Sequence, residues 1–547
     1  MKIKKVFFVC LFLFSFMVAI QGAQDNCSSF LVTKGASENG SVMITYTCDG
    51  EFLYRLDYIP AQDHKPDEFI EIKSWGGKVK GKIKQIPHTY SVVGLMNEFQ
   101  VAIGETTFGG RKELVNSDGL LNYFTLMGIA LQRAKTAREA IQVMTELVAE
   151  YGYSSSGESF SIADKNEAWI MEMIGPGSGG EGAHWVALRI PDGYISAHAN
   201  MSRIGEFPLD DPENCLYSEN IISFAEEKGY YDRKSGKRFN FRYAFDPPKP
   251  SSLRTCAARV WSMFRRSAPS LNFSPDFHRG VKGEKPYPLW IKPDKKLSVS
   301  DVMNIMRDHY EGTEFDMTKG IDAGPFGCPV RYRGLTWEID GNTYSWERPI
   351  STQQTSFSFI SQSRDNLPDA VGGVYWFAVD DTYTNCYVPL YCCVNRIPES
   401  FTVGDIQEFS WDSAWWVFNF VANLANLRYS SMVKDIQKVQ KKLENNFIAF
   451  QPVIEKTAVE LHKTDPELAK EFLTNYSVSQ GEMVVRRWID LGEYLLTKYN
   501  DGYVKDEKGR PRSEGYPSEW LQKVLQLKPE QFKLPEWGKD EKDRRLN

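Results

Sequence analysis

The sequence predicts an α+β fold built in layers. Three observations carry this: strands, then helices, then strands again within residues 30–198; a long helical run near the end; and enough apolar residues to fill a sizeable core. The chain has 547 residues, 42% of them hydrophobic and 25% charged, the balance of a globular protein. That length suggests more than one packing unit. Strand runs on either side of a helix pair favour stacked layers over an alternating parallel sheet.

The elements follow in order. Residues 30–33 and 42–47 are short β-rich runs joined by the turn-forming Ser37-Glu38-Asn39-Gly40. Residues 92–96 and 101–107 form a second strand pair, and a helix is expected over about 120–134. Thr136 opens the next helix with Glu139 three residues on, the pattern of a capping box. Ala140, Met144, Leu147 and Tyr151 then recur at helical spacing. Strands return at 160–163, 168–174, 184–190 and 194–198. Residues 201–400 are mixed and aromatic-rich. From Asp412 to about Tyr499 the pattern is helical, as in 433–446 and 452–462. The tail after Asp501 is charged and contains prolines, as a loosely packed end does.

The chain begins like a secretory signal. Lys2, Lys4 and Lys5 precede an apolar run from Val6 to Ile20, and the small residues Gly22 and Ala23 follow. The reading is a signal peptide over residues 1–23 and a short leader over 24–26, removed on maturation. The run is too short and wrongly flanked for a membrane span. A secreted or periplasmic location follows, in an oxidising compartment where cysteines can pair. Besides Cys10 in the signal and Cys27, the cysteines are 48, 215, 256, 328, 386, 392 and 393. Their number is odd and their spacing irregular, so buried thiols are expected and not a disulfide scaffold. Net charge is −6 with no long basic run, which argues against a nucleic-acid partner.

Several motifs point to chemistry less strongly than they first suggest. Gly175-Pro-Gly177-Ser-Gly-Gly180 fits a dinucleotide fingerprint, but the segment after it reads as a strand where a helix is required, so a hairpin loop is expected. Gly152 to Gly157 is one residue too long for a nucleophile elbow. The seven histidines are dispersed and form no zinc-hydrolase pattern. Cys27 stands apart because of its position, just past the signal and directly before a strand. As the first residue of a mature chain it would carry its own base. A free α-amine titrates near about 7.7–8.0 and can take the thiol proton without a histidine. The thiolate can then attack an acyl carbon. The plain alternative is an ordinary thiol near the mature N-terminus.

Cys27-Ser-Ser-Phe-Leu-Val-Thr-Lys-Gly-Ala-Ser, with Asn39-Gly-Ser following, resembles the start of the bacterial dipeptidase A family. These are cysteine N-terminal nucleophile hydrolases related to bile-salt hydrolases and penicillin V acylases. Further similar stretches are Asn97-Glu98-Phe-Gln-Val-Ala-Ile-Gly-Glu105-Thr-Thr107, Ala134 to Ala140, Ser156 to Asp164, Ala168-Trp-Ile-Met-Glu172, His198-Ala-Asn200, Arg307 to Gly312 and Gly324 to Gly327. The resemblance implies a four-layer αββα sandwich over residues 27–400, as the catalytic domain, with a mostly helical extension over 401–547. It implies hydrolysis of small peptides without a cofactor or metal. After signal removal it implies no membrane partner, and a homo-oligomer is compatible with it.

Carried over residue by residue, the resemblance makes Cys27 the nucleophile and Asp49 the carboxylate that orients the terminal amine and thiol. It places Thr107 on the oxyanion side, makes Asn200 the oxyanion-hole amide, and makes Arg259 a supporting arginine, with Arg254 as its competitor. Glu98 and Glu105 are the carboxylates offered to a substrate ammonium, which needs such a partner away from bulk water. One departure stands out: the related acylases and many dipeptidases have an arginine three residues before the aspartate, and here that place is Tyr46. Two other functions remain open on sequence: an acylase on non-peptide amides, and a secreted binding protein that keeps the scaffold without thiol chemistry.

Overall fold

The computed structural model describes residues 27–534. The expected signal and leader, residues 1–26, lie outside the described residues.

The fold is mixed α/β and is organised by two large sheets. Strands Ser29–Val32 and Val42–Asp49 lie at the centre of the first, a seven-stranded sheet. Ile195–His198 flanks Ser29–Val32 on one side; Thr355–Ser363, Val374–Val379 and Val388–Tyr391 extend it on the other. Every residue of Thr355–Ser363 is buried, so a segment more than 300 residues downstream pairs along the whole of Val42–Asp49. In the second, eight-stranded sheet, Ala102–Gly109, Gly157–Ala163, Ala168–Ile174 and His184–Arg189 follow one another as antiparallel neighbours. The glycine-rich Gly175–Gly180 stretch is thus a hairpin loop, as expected, and not a phosphate cradle.

The two sheets meet closely at Gly104. A Cβ there would lie 3.0 Å from Tyr46 Cβ and 3.3 Å from the Thr45 carbonyl oxygen, closer than side chains normally pack. His198 bridges the layers: its ring nitrogens lie 2.7 Å from the hydroxyls of Thr106 and Ser161 on the second sheet. Helices Tyr123–Arg133 and Ala137–Tyr151 pack against each other and against the second sheet. Thr136 caps the latter by accepting the Glu139 N–H at 3.1 Å. The box does not close as expected, because the Glu139 carboxylate reaches the Lys135 N–H at 2.7 Å, one residue before the cap.

The helical part comprises Ala414–Ala425, Tyr429–Thr464 and Pro466–Lys498. It shares one hydrophobic core with the sheets, from Cys27 to Tyr499. The two helical runs read from sequence at 433–446 and 452–462 are one helix, continuous through Pro452. Proline removes one backbone hydrogen bond and crowds the preceding turn, so the helix must be held from outside. Two buried, two-pronged ion pairs do this on either side of Pro452. Arg307 binds Glu444 at 2.9 and 2.6 Å, and Arg364 binds Glu455 at 2.8 and 2.5 Å. Glu444 and Glu455 are about three helical turns apart, so they lie on one face. The tail carries a short hairpin and the exposed helix Ser518–Leu527. Among the described residues, no helix is long and apolar enough to cross a membrane.

These two pairs should dominate the attachment of the helical part. Removing one partner strands a buried charge, so Glu444→Ala and Glu455→Ala should each cost about 3–5 kcal/mol. Glu471→Ala, at the exposed Arg396 pair, should leave stability unchanged. Denaturant midpoints check this; equal, small effects at all three positions would contradict the locking role.

Candidate active site

Cys27 precedes the first strand and is fully buried. Ser28 fixes it from behind by exchanging backbone hydrogen bonds with Thr47 at 3.2 and 2.9 Å. The thiol sulfur then lies 3.8 Å from Glu105 Oε1 and 3.9 Å from the Tyr46 hydroxyl. The Tyr46 hydroxyl donates a short hydrogen bond to that same Glu105 oxygen. The Tyr46 ring is held edge-on by Phe357 and Phe359. Tyr46 therefore fills the place of the expected arginine with a neutral donor. Burial above all pushes the Cys27 thiol well above its ordinary pKa, helped by a hydrogen bond with Cys48 and by the negative charges of Glu105 and Asp49. None of the eight described cysteines is joined in a disulfide.

On the other side of Cys27, one guanidinium gathers the site. Arg259 Nη1 donates to the Cys27 carbonyl at 2.6 Å and lies 2.9 Å from the Ser28 hydroxyl. Its Nη2 donates to Asn200 Oδ1 at 2.9 Å. Arg259 stands at the start of helix Ala258–Ser267, directly after a π-helical turn, Leu253–Ala257. Its Nε donates back to the Thr255 carbonyl at 2.8 Å, and such local widening is frequent at functional sites. Arg254, the sequence competitor, turns away and pairs with Glu347.

Asn200 follows strand Ile195–His198 with φ at 54°, a left-handed conformation that asparagine tolerates better than most residues. Its side-chain NH2 donates to the Thr107 carbonyl at 2.8 Å. Thr107 thus touches the site through its backbone. Its side chain shares one face of the strand with Glu105, two residues earlier. Asp49 is also fully buried, but its oxygens are bound by Thr355 Oγ1 at 2.6 Å and by Arg348 Nη2 at 2.5 Å. Glu98 lies in the turn before the strand, where its carboxylate accepts the Ser91 N–H at 2.7 Å. Of the two glutamates read from sequence, the structure brings Glu105 to the thiol and leaves Glu98 capping that turn.

Sequence reasoning missed Arg348 and the hydrogen bond that joins Tyr46 to Glu105. Arg348 supplies a cation at Asp49 from a loop about 300 residues away. The one local signal for Tyr46 was the missing arginine. His198 is near in sequence to Asn200, but burial lowers its pKa to about 3 and both ring nitrogens face hydroxyls. Among the described residues no histidine hydrogen-bonds the thiol, and no cluster of three or more His, Cys, Asp or Glu side chains could hold a metal ion.

Known proteins resemble this chain over most of its length. A probable dipeptidase A of Streptococcus pyogenes serotype M3 (strain SSI-1) is 24% identical over 492 residues, covering 86% of this chain and 98% of the relative. A probable dipeptidase of Latilactobacillus sakei is 26% identical over 440 residues, 76% of this chain and 84% of the relative. A probable dipeptidase of Salmonella dublin is 25% identical over 391 residues, 67% of this chain and 80% of the relative. The model of peptidase family C69 matches residues 26–442, so most of the chain, Cys27 and the whole Arg259–Asn200 cluster included, falls within the match, and the protein belongs to peptidase family C69.

Proposed function

We propose that the protein is an exported dipeptidase that hydrolyses small peptides with Cys27 as an N-terminal nucleophile, on an αββα N-terminal nucleophile hydrolase scaffold. The observation that carries this reading is the position of the buried Cys27 thiol at the head of a central strand, beside the Glu105 carboxylate and, among the described residues, without a histidine bonded to it. In the intact chain the Cys27 nitrogen is an amide, which cannot act as a base. Burial and neighbouring negative charge then keep the thiol protonated. Cleavage of the Asn26–Cys27 bond supplies an amine at the thiol itself.

The α-amine takes the thiol proton, and the thiolate attacks the peptide carbonyl carbon. The resulting oxyanion meets the Asn200 amide, whose orientation Arg259 fixes. The α-ammonium returns the proton to the leaving amine, the C–N bond breaks, and a thioester remains. Water, deprotonated by the same amine, hydrolyses the thioester and restores the thiol. Asp49, held by Arg348 and Thr355, is the carboxylate whose charge acts on the Cys27 thiol from the neighbouring strand. Glu105 receives the substrate ammonium, with Tyr46 fixing one of its oxygens. The relatives named above are probable dipeptidases, which favours the same substrate class.

Cys27→Ala in the otherwise mature protein should lower turnover by at least about three orders of magnitude. Cys27→Ser should lose most of it, since a hydroxyl is far less acidic than a thiol. Iodoacetamide should inactivate with one label, at Cys27. Undiminished hydrolysis by folded Cys27→Ala would overturn the thiol mechanism.

Glu105 makes the substrate class testable. Unblocked dipeptides should be cleaved at least about 100-fold faster than their N-acetyl forms, because a blocked amine leaves a buried carboxylate unmatched. Glu105→Gln should cut kcat/KM on free dipeptides by about 10–150-fold, the worth of one charge-assisted hydrogen bond. It should narrow the preference over N-acetyl dipeptides at the same time. Turnover of acylated amides such as penicillin V, with free dipeptides ignored, would instead assign an acylase.

A further inference from the structure

Asn200 sits in a left-handed turn at the end of a strand. The chain that follows it is held in large part from the other sheet. Glu172, in strand Ala168–Ile174, is fully buried, and its carboxylate is aimed at the backbone just beyond Asn200. It accepts the Arg203 N–H at 2.5 Å, the Ser202 hydroxyl at 2.5 Å and the Ile204 N–H at 3.3 Å. Ser159, on the neighbouring strand, donates its hydroxyl to the same carboxylate at 3.2 Å and fixes it in turn. A second buried carboxylate, Asp246, accepts the Ser202 N–H at 2.9 Å. Arg203 then closes the loop by donating from Nε to the Ala197 carbonyl at 3.1 Å.

A buried carboxylate is costly unless hydrogen bonds offset its desolvation. Here the offsetting donors are two consecutive backbone N–H groups and a hydroxyl from one short segment. The arrangement therefore specifies where that segment lies. The strand end at His198 fixes the chain on one side of Asn200, and this three-donor clamp fixes it on the other. Between them the Asn200 side chain has one position, against Arg259 and the Thr107 carbonyl.

We propose that Glu172 is a positioning residue for hydrolysis: through Ser202, Arg203 and Ile204 it sets the place of the Asn200 amide, without touching substrate. The inference rests on the reading of Cys27 as nucleophile and Asn200 as oxyanion donor. Amide hydrolysis needs that donor most in the transition state, so its displacement lowers kcat more than it raises KM. Alkylation of the thiol by iodoacetamide is a displacement at saturated carbon and develops no oxyanion. The two reactions at one sulfur separate a misplaced Asn200 from a generally damaged site.

Glu172→Gln preserves shape but presents an amide NH2 where donors converge. In the mature enzyme it should lower kcat for a dipeptide by about 10–100-fold, the scale of a misplacement of about 1 Å, with KM within about twofold and the Cys27 alkylation rate unchanged. Ser202→Ala removes one donor from the clamp and should show the same split with a smaller loss, about 3–10-fold in kcat. It decides the matter if Glu172→Gln does not fold. Unchanged kcat in the folded variant, or hydrolysis and alkylation falling in parallel, overturns the positioning role. Failure of alkylation to inactivate the wild-type enzyme overturns the Cys27 reading itself, and is seen before any variant is made.

Discussion

The Arg259 guanidinium joins the start of the chain's first strand to the end of a strand 170 residues further on. It bonds the Cys27 carbonyl, the Ser28 hydroxyl and the Asn200 side chain together. The group is wholly buried, and such a charge is tolerated only where acceptors surround it. That requirement fixes much of the rest. The first strand must begin against helix Ala258–Ser267. The Ile195–His198 strand must pair beside it, in the register that sets Ser29 opposite His198. Asn200 must then turn back in a left-handed conformation to present its amide oxygen.

The second sheet contributes by a different route. Its strands reach Cys27 through Glu105 and reach the Asn200 turn through Glu172. Both carboxylates are buried, and both bear on the thiol's surroundings from the layer that does not carry it. The site therefore exists only where the two sheets pack, and the absence of a side chain at Gly104 lets them approach. The helical part matters through the first sheet. Arg307 and Arg364 bind Glu444 and Glu455 on a single long helix, beside the strands that support Val42–Asp49.

Much of this was legible in the sequence where the signal is local. Strand 168–174 has the bounds expected from its apolar run, and Thr136 caps its helix as its position implies. Cys27 stands out by its position and Asn200 and Arg259 by the family resemblance, and the three lie together in the structure. What stayed hidden depends on pairing across long separations. Arg348 meets Asp49 only because Thr355–Ser363 pairs along Val42–Asp49. Glu98 and Glu105 look alike in sequence, and only the turn at Asn97–Gln100 sends one to the backbone of Ser91 and the other to the thiol. Pro452 reads as a break because local propensity cannot register two ion pairs on either side of it.

The proposed base is the Cys27 amine, which requires that nothing precede Cys27 in the active protein. Intact-mass and N-terminal analysis of purified enzyme, taken alongside specific activity, tests this directly. Activity should rise in proportion to the fraction of molecules that begin at Cys27. Full activity in molecules that still carry Asn26 would contradict the account, because an amide nitrogen cannot take the thiol proton.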